Sequence, residues 1–281
     1  MKLSPRYDGP PILTFDGPAD DQGVPVARQR KRMEALLADL SDDEWRSPSR
    51  CVGWSIQDVV SHLVTVNGFW QASVAAGLEG APTRLLATFD PAAHPPLMVD
   101  GMRELSPHDV FDQFVSSNDG FLGTLGALDD RGWSTLAESP AGHVPIRLLA
   151  QHALWDGWVH ERDIALPLGQ TPPEEPDEMR SCLRYAAAVG PALALSHQDS
   201  FTGRFAVAAS DPDTSFVLEV GESVSVFDHS GPTDLPCLRG EAVELVEALS
   251  IRAPLPSDTP VEWYRVLNRL ATIFDAELET R

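Results

Sequence analysis

Apolar positions recur at helical spacing through the first half of the chain. The stretch 26–40 predicts a first amphipathic helix, with one apolar face formed by Val26, Met33, Leu36, Leu37 and Leu40. A second helix is predicted over 56–76, because Ser55 can cap it and Asp58 places a carboxylate in its first turn. Its apolar face consists of Val59, Leu63, Val66 and Trp70, and His62 lies close beside that face.

Two further helices follow, separated by longer connections. After a proline-containing loop over 80–105, Ser106 and Pro107 open a third helix with a capping residue and a proline at its first position. An irregular stretch around Trp133 and Pro140 leads to a fourth helix from about Pro145, which Pro167 and Gly169 end. Four such helices predict a bundle.

The pattern changes beyond the linker TPPEEPDE. After a helix over 179–194, the runs FAVAA, SFVLEV and VSVFD predict three antiparallel strands, and helical spacing returns over 240–249 and 261–278. The fold class predicted is therefore α+β. The predicted organisation is an irregular leader (1–24), a helical domain (25–170) and a small C-terminal domain with strands and helices (171–281).

Composition narrows the classes of function. A net charge of -21 in 281 residues makes nucleic acid or an anionic membrane surface an unfavourable partner. The start of the chain lacks the apolar run of a signal peptide, so we expect a cytoplasmic protein. Cys51, Cys182 and Cys237 lack metal-binding or disulfide spacing, and the oligomeric state is left open.

Asp156 and His160 form the clearest candidate for chemistry. They lie four residues apart on the fourth helix, so both side chains share one face about one turn apart. His62, near the middle of another helix, is the candidate third ligand, although a buried core histidine fits it as well. Three protein ligands would hold zinc or another divalent metal and leave a position open for chemistry.

Other residues near these positions fit supporting roles. Asp58 or Asp163 could accept the second ring N–H of a ligating histidine, while Asp58 is also explained by helix capping. His152 is too far from His160 along the helix to share one ion, which leaves it as a neighbour of the site or a surface residue. Trp54, Trp155 and Trp158 are predicted to form a dry, apolar wall around the ion, although core packing is the more frequent explanation for such residues.

Three segments resemble parts of a known family. CVGWSIQDVVSHL resembles the G-W-S-x-x-D-x-x-x-H-L motif of the mycothiol-dependent maleylpyruvate isomerase family, within the DinB-like metal-binding superfamily. WDGWVHERDIALPLG is similar to that family's E-x-W-x-H-x-x-D-x-A-x-x-L-G segment, and LRGEAVELVEALSIRAPL is similar to its C-terminal helix. The resemblance implies a DinB-like four-helix bundle followed by an α/β domain of sterol-carrier-like character.

The resemblance also implies a site and a reaction. The metal ligands fall on His62, Asp156 and His160, with Asp in place of the family's usual Glu, and Arg252 matches an arginine that meets the substrate. Mycothiol would be the thiol cosubstrate, bound to the metal as its thiolate. Addition to a cis double bond, rotation and elimination would then give the trans isomer, or the thiol would be transferred.

Two other functions remain open at this stage. A zinc-bound water could serve a hydrolase, with Asp163 or His152 as proton acceptor. Alternatively, the chain could be a non-catalytic binding or regulatory protein whose C-terminal domain holds a hydrophobic ligand. The sequence contains no G-x-S-x-G elbow, no phosphate-binding glycine loop and no dinucleotide motif.

Overall fold

The structure is a computed structural model that describes residues 1–16, 23–231 and 233–274. Its helices are α1 (Gly23–Ala38), α2 (Asp42–Trp45), α3 (Ile56–Leu78), α4 (His94–Asp100), α5 (Pro107–Gly126), α6 (Asp130–Ser134), α7 (Ile146–Ala165), α8 (Pro176–Ser196), α9 (Ala242–Leu249), α10 (Val261–Leu267) and α11 (Arg269–Phe274). Its strands are β1 (Leu13–Phe15), β2 (Leu136–Ser139), β3 (Gly142–Pro145), β4 (Gly203–Ser210), β5 (Thr214–Val220), β6 (Val224–Asp228) and β7 (Cys237–Glu241). The chain is mixed α+β, with a helical N-terminal region and a C-terminal sheet, as predicted.

The long helices of the first half begin where local chemistry favours it. The Ser55 side chain accepts a hydrogen bond from the backbone N–H of Asp58, whose carboxylate accepts one from the Ser55 backbone N–H, so that both ends of this capping box are satisfied. The Ser106 side chain caps α5 by accepting a hydrogen bond from the backbone N–H of Asp109, and Pro107 occupies the first helical position. Gly169 follows α7 and its 3₁₀ extension in a left-handed conformation, which ends the helix.

Four of these helices pack against one another. Helix α3 contacts α5 and α7, and α1 contacts the same two helices. One apolar cluster fills the space between α1, α3 and α5, with Met33, Leu37, Ile56, Val59, Leu63, Val110 and Phe114 among its fully buried members. Helices α3 and α7, which carry the candidate ligands, are thereby held at a fixed separation.

The C-terminal sheet has the strand order β1-β6-β5-β4-β7. Its three central strands form the predicted antiparallel meander. Strand β7 adds parallel to β4, so Gly240 and Glu241 belong to a strand and α9 begins only at Ala242. Helix α8 contacts β5, β6 and α9 as well as α7, and the apolar core therefore continues across residue 170.

The N-terminal leader is not irregular throughout, and this prediction is wrong for Leu13–Phe15. These residues form β1, which runs parallel to β6 and pairs Leu13 with Val224. Leu13 is buried, and the Thr14 hydroxyl lies 2.9 Å from that of Ser225. Flanking Pro and Gly residues conceal so short a strand, because its partner lies about 200 residues further along.

Three other predictions need correction. The loop predicted over 80–105 contains a 3₁₀ turn (Leu85–Thr88) and α4. The stretch predicted as irregular around Trp133 and Pro140 forms α6 and the β2–β3 hairpin. The helix predicted over 261–278 is divided into α10 and α11 at Asn268, and its end from 275 onward lies outside the described residues.

In the described residues, no helix combines the length and the apolar character that a membrane crossing requires.

Two glycines of α3 provide a matched test of this packing. A Cβ at Gly77 would lie 2.3 Å from the backbone oxygen of Leu136 in β2, whereas a Cβ at Gly68 would meet nothing within 4 Å. We expect Gly77→Ala to lower the free energy of unfolding by about 1–3 kcal/mol, because backbone must move. Gly68→Ala should raise it by up to about 1 kcal/mol through helix propensity. Urea denaturation measures both, and equal stability of the two variants would contradict the α3–β2 packing.

Candidate metal centre

Helices α3 and α7 bring the three candidate ligands together. His62 comes from the first half of α3, and Asp156 and His160 lie one turn apart on α7. One potential ligand atom from each residue lies within 4.8 Å of the other two. Ligands around one tetrahedral zinc are roughly 3.4 Å apart, so small side-chain adjustments suffice to close this group on an ion.

Asp156 shows the clearest need for a cation. Its Oδ1 lies 3.7 Å from Nε2 of His160, and its buried Oδ2 has no hydrogen-bond partner among the described residues. A buried carboxylate oxygen without a partner costs free energy that a bound cation would offset. Although Asp is one methylene shorter than Glu, it still reaches the histidine, and the donor set of two imidazoles and a carboxylate fits a divalent metal.

The two histidines have opposite electrostatic surroundings. Burial, and to a smaller extent the neighbouring His160, lowers the pKa of His62 from 6.5 to about 4. Burial also disfavours charge on His160, but its hydrogen bond to Asp163, its contact with Cys51 and the charge of Asp156 together raise its pKa to about 10. His62 is thus ready to bind a metal as neutral imidazole, whereas His160 must release a proton to do so.

Asp163 fixes the orientation of the His160 ring. Its Oδ2 lies 3.0 Å from Nδ1 of His160, which leaves Nε2 directed towards Asp156. A carboxylate on one ring nitrogen holds the tautomer in which the other nitrogen is free to bind a metal. Burial alone would raise the pKa of Asp163, but hydrogen bonds from Arg252 and His160 hold it well below its usual range.

Arg252 reaches the same carboxylate from the segment that follows α9. Its Nε donates to Oδ1 of Asp163 at 2.8 Å, and its Nη2 donates to Oδ2 at 2.6 Å. This two-pronged geometry is the one an arginine uses for any carboxylate. Arg252 therefore acts here as a positioning residue for Asp163, and its contact with a substrate remains a prediction.

A second group of potential ligands surrounds Cys51. Its Sγ lies 3.2 Å from Oδ2 of Asp163 and 3.9 Å from Nδ1 of His160, close enough for a shared ion. However, Nη2 of Arg252 lies 3.6 Å from this sulfur and already supplies the positive charge between these groups. The group formed by His62, Asp156 and His160 is therefore the better metal site.

Comparison with known proteins identifies the region that carries the candidate ligands. Residues 26–165 match the family described as the mycothiol maleylpyruvate isomerase N-terminal domain, and this range contains all three candidate ligands. Through these residues, the chain belongs to the mycothiol maleylpyruvate isomerase family. The resemblance inferred from the sequence motifs is confirmed.

Solved structures show that the likeness extends beyond the matched residues. The crystal structures of a mycothiol-dependent maleylpyruvate isomerase and of its histidine-to-alanine mutant each align with a TM-score of 0.61 at 15% sequence identity. Each alignment covers 88% of this chain and 95% of the other. At this identity the match shows a shared fold. No curated protein matches the chain in sequence.

The segment that leads to Arg252 contains a strained backbone turn. Here Ile251 takes a left-handed backbone conformation with φ at 57°. This conformation costs an L-residue about 1–2 kcal/mol, and a β-branched side chain adopts it rarely. The turn is nevertheless kept, and it directs Arg252 to Asp163 in this family member.

The structure separates the alternative roles considered for Asp58 and His152, and Asp58 has the predicted capping role. Both oxygens of Asp58 are used elsewhere, by Ser55 at the helix cap and by Arg103, and no hydrogen bond to His62 is formed in the described part of the chain. His152 is buried, so a surface role is wrong. Its Nδ1 lies 2.6 Å from the hydroxyl of Tyr185, and burial lowers its pKa to about 4.

The three tryptophans predicted to surround the ion have different neighbours in the structure. The Trp54 ring lies 5.4 Å from that of His62, which shields this ligand. Trp155 lies against His152 and donates to the hydroxyl of Ser250. Trp158 is two residues from both α7 ligands and therefore faces away from them, with the Arg162 guanidinium over its ring.

Sequence reasoning missed several residues that hold the centre. Cys51 was set aside for lack of spacing to other cysteines, yet it contacts Asp163. Glu247 on α9 pairs with both Arg50 and Arg162, and so ties the C-terminal segment to α7 and to the loop before α3. Nothing in local spacing reveals such pairs, because about 200 residues separate Arg50 from Glu247.

Removal of the α7 carboxylate tests the metal site. Asp156→Ala leaves two imidazoles as ligands, so we expect zinc affinity to fall by more than about tenfold, a larger loss than a supporting residue alone would cause. Isothermal titration and metal analysis measure the change. Asp112→Asn alters an exposed carboxylate on α5 and should bind zinc normally. Unchanged zinc binding by Asp156→Ala would rule out this site.

Neutralising Asp163 tests its hold on His160. In metal-free Asp163→Asn, the pKa of His160 should fall from about 10 towards 6.5, as an NMR titration of the imidazole signals would show. The raised pKa of His160 adds to the free energy of unfolding. This contribution is complete below pH 6.5 and is lost as the pH rises through about 10. The decrease in stability over this pH range should therefore be smaller in the variant. Zinc affinity should drop about 10–100-fold.

The control for that experiment is Asp199→Asn, which removes a carboxylate paired with Arg269 away from the centre. It should leave the titration of His160 unchanged. An equal shift in both variants would mean that general destabilisation, and not the contact with Asp163, moves the pKa of His160.

Proposed function

We propose that this protein is a metal- and thiol-dependent enzyme that uses mycothiol either to isomerise maleylpyruvate or a related cis-unsaturated acid, or to transfer the thiol. The observation that carries the proposal is the convergence of His62, Asp156 and His160, with an unpartnered buried carboxylate oxygen, inside the family's matched domain. The two aligned crystal structures, which are of such an isomerase, support the choice of reaction.

The three side chains would hold zinc or another divalent ion. Such an ion lowers the pKa of a bound thiol and keeps it as the nucleophilic thiolate near neutral pH. The protein supplies the remaining requirements: Asp163 orients His160, and Trp54 shields His62 from water. Three protein ligands leave room for one sulfur ligand.

The chemistry of the cosubstrate accounts for isomerisation. Attack of the thiolate on one alkene carbon forms a C–S bond and moves the π electrons into the conjugated carbonyl as an enolate. Rotation about the resulting single bond and expulsion of the thiolate then give the trans acid. A cationic group such as Arg252 would stabilise the enolate, provided that substrate binding frees part of its guanidinium from Asp163.

The proposal also covers the domain organisation, the small-molecule partners and the cellular location of the protein. Helices α1, α3, α5 and α7 would correspond to the DinB-like four-helix bundle, within a domain over 25–170. The region 171–281 would form the domain of sterol-carrier-like character. A small-molecule substrate, a low-molecular-weight thiol and a cytoplasmic location complete this proposal.

The contacts of Asp163 argue against the hydrolase alternative. A proton acceptor for a metal-bound water needs a free carboxylate of suitable basicity. Both oxygens of Asp163 instead accept from Arg252, and its pKa lies well below its usual range because Arg252 and His160 outweigh the effect of burial. His152 is engaged through Nδ1 with Tyr185.

Turnover of maleylpyruvate with and without mycothiol tests the proposal. The zinc-loaded protein should form the trans isomer only with the thiol present, as followed by proton NMR. His62→Ala and His160→Ala should lose at least about 100-fold in rate, because each removes a ligand. His108→Ala changes an exposed histidine of α5 and should retain full activity.

Two results would overturn the assignment. Equal turnover without thiol would exclude mycothiol as cosubstrate. Full activity of both ligand variants would exclude the metal centre as the place of reaction.

A further inference from the structure

Arg30 is a charged residue in the apolar face of α1. It lies between Val26 and Met33 on that face, and all three side chains are fully buried. Its Nη2 donates to the backbone oxygen of Ala153 at 3.2 Å, and its Nη1 donates to Oε1 of Gln29 at 3.3 Å. Nε has no hydrogen-bond partner, and none of the partners of this side chain in the described part of the chain is a carboxylate.

The guanidinium lies directly against the helix that carries two candidate ligands. A Cβ at Gly157 would be 2.2 Å from Nη1 of Arg30, so only glycine leaves room for this approach. Ala153, Asp156, Gly157 and His160 follow helical spacing along one side of α7. Arg30 therefore lies within about one helical turn of the candidate metal ligands.

Asp156 is the carboxylate that remains to balance this charge. Of the acidic groups around Arg30, Glu161 is bound by Arg32, and Glu34 is bound by Lys31. Asp156 pairs with no arginine or lysine in the described residues, and its Oδ2 has no partner. Burial lowers the pKa of Arg30, and Asp156 contributes the largest opposing effect.

We infer that Arg30 determines the ligand specificity of the metal centre: its buried charge makes the centre prefer an anionic fourth ligand, such as a thiolate, over a neutral one. A divalent ion would more than neutralise the charge of Asp156. The buried guanidinium of Arg30 would then carry a positive charge that no nearby carboxylate balances. Such charge acts strongly at short range inside a protein. The inference rests on the proposed metal centre and adds a selecting residue that does not itself coordinate.

Cobalt(II) in place of zinc makes this testable by visible spectroscopy. Wild-type protein is titrated with azide, an anion, and with imidazole, at a mildly alkaline pH where imidazole is neutral. In Arg30→Met, which fills similar space without charge, azide affinity should fall about tenfold or more while imidazole affinity stays the same. Arg30→Gln gives a second neutral variant, and Arg30→Lys should retain the preference for azide.

Arg28→Met is the matched control on the same helix. Arg28 is already paired with Asp177 and Glu178, so its removal should leave the ratio of azide to imidazole affinity unchanged. If Arg30 has only a structural role, its replacement should weaken the binding of azide and imidazole equally and leave the ratio of their affinities unchanged.

Each outcome decides the point. If the ratio of azide to imidazole affinity is unchanged in the neutral variants, the inference is wrong. It is also wrong if Arg30→Lys loses the preference for azide. Arg30→Lys decides the question if neither neutral variant folds. Wild-type protein that binds no cobalt, or whose cobalt spectrum responds to neither ligand, refutes the proposed function itself. A tenfold selective loss restored by lysine supports the role of Arg30.

Discussion

The Asp163 carboxylate is the interaction on which the centre depends. It is fully buried, and it accepts hydrogen bonds from Arg252 while lying 3.0 Å from Nδ1 of His160 and 3.2 Å from Cys51. One side chain thus joins the end of α7, the segment after α9 and the loop before α3. Loss of one partner of a buried pair strands the other charge at a cost of about 3–5 kcal/mol. The orientation of a metal ligand is consequently coupled to the attachment of the C-terminal segment.

The short sequence WDGWVHERD concentrates most of the chemistry on one helix. Asp156 and His160 are the candidate metal ligands, Gly157 admits the guanidinium of Arg30, and Asp163 orients the imidazole of His160. The helical repeat alone sets these positions relative to one another. Two arginines from other parts of the chain add positive charge near this helix: Arg30 of α1 lies against Gly157, and Arg252 of the C-terminal segment donates to Asp163.

Local spacing explains which parts could be predicted from the sequence. The pair Asp156–His160 and the contact of His160 with Asp163 follow from one helix, and the capping of α3 follows from Ser55 and Asp58. The distance of His62 from α7 cannot be predicted from local spacing, because it depends on how two helices pack. Only the paired family motifs indicated that His62 lies near Asp156 and His160. Strand β1 was missed because three residues gain order only from a distant partner.

Arg30 and Arg252 show a different limit. An arginine within an apolar helix face is visible in the sequence, but whether its charge faces solvent, a carboxylate or a cavity depends on neighbouring helices. The position of Arg252 was recognised through the family motif, whereas its two hydrogen bonds to Asp163 arise from a turn around Ile251 that no local propensity favours.

The most direct test of the account is X-ray absorption spectroscopy of the zinc-loaded protein before and after addition of mycothiol. We expect nitrogen and oxygen ligands at about 2.0–2.2 Å from the zinc, joined on addition of the thiol by one sulfur at about 2.3 Å. Absence of a sulfur ligand in the presence of saturating mycothiol would contradict it, as would a sulfur ligand already present without the thiol, which would place Cys51 on the metal.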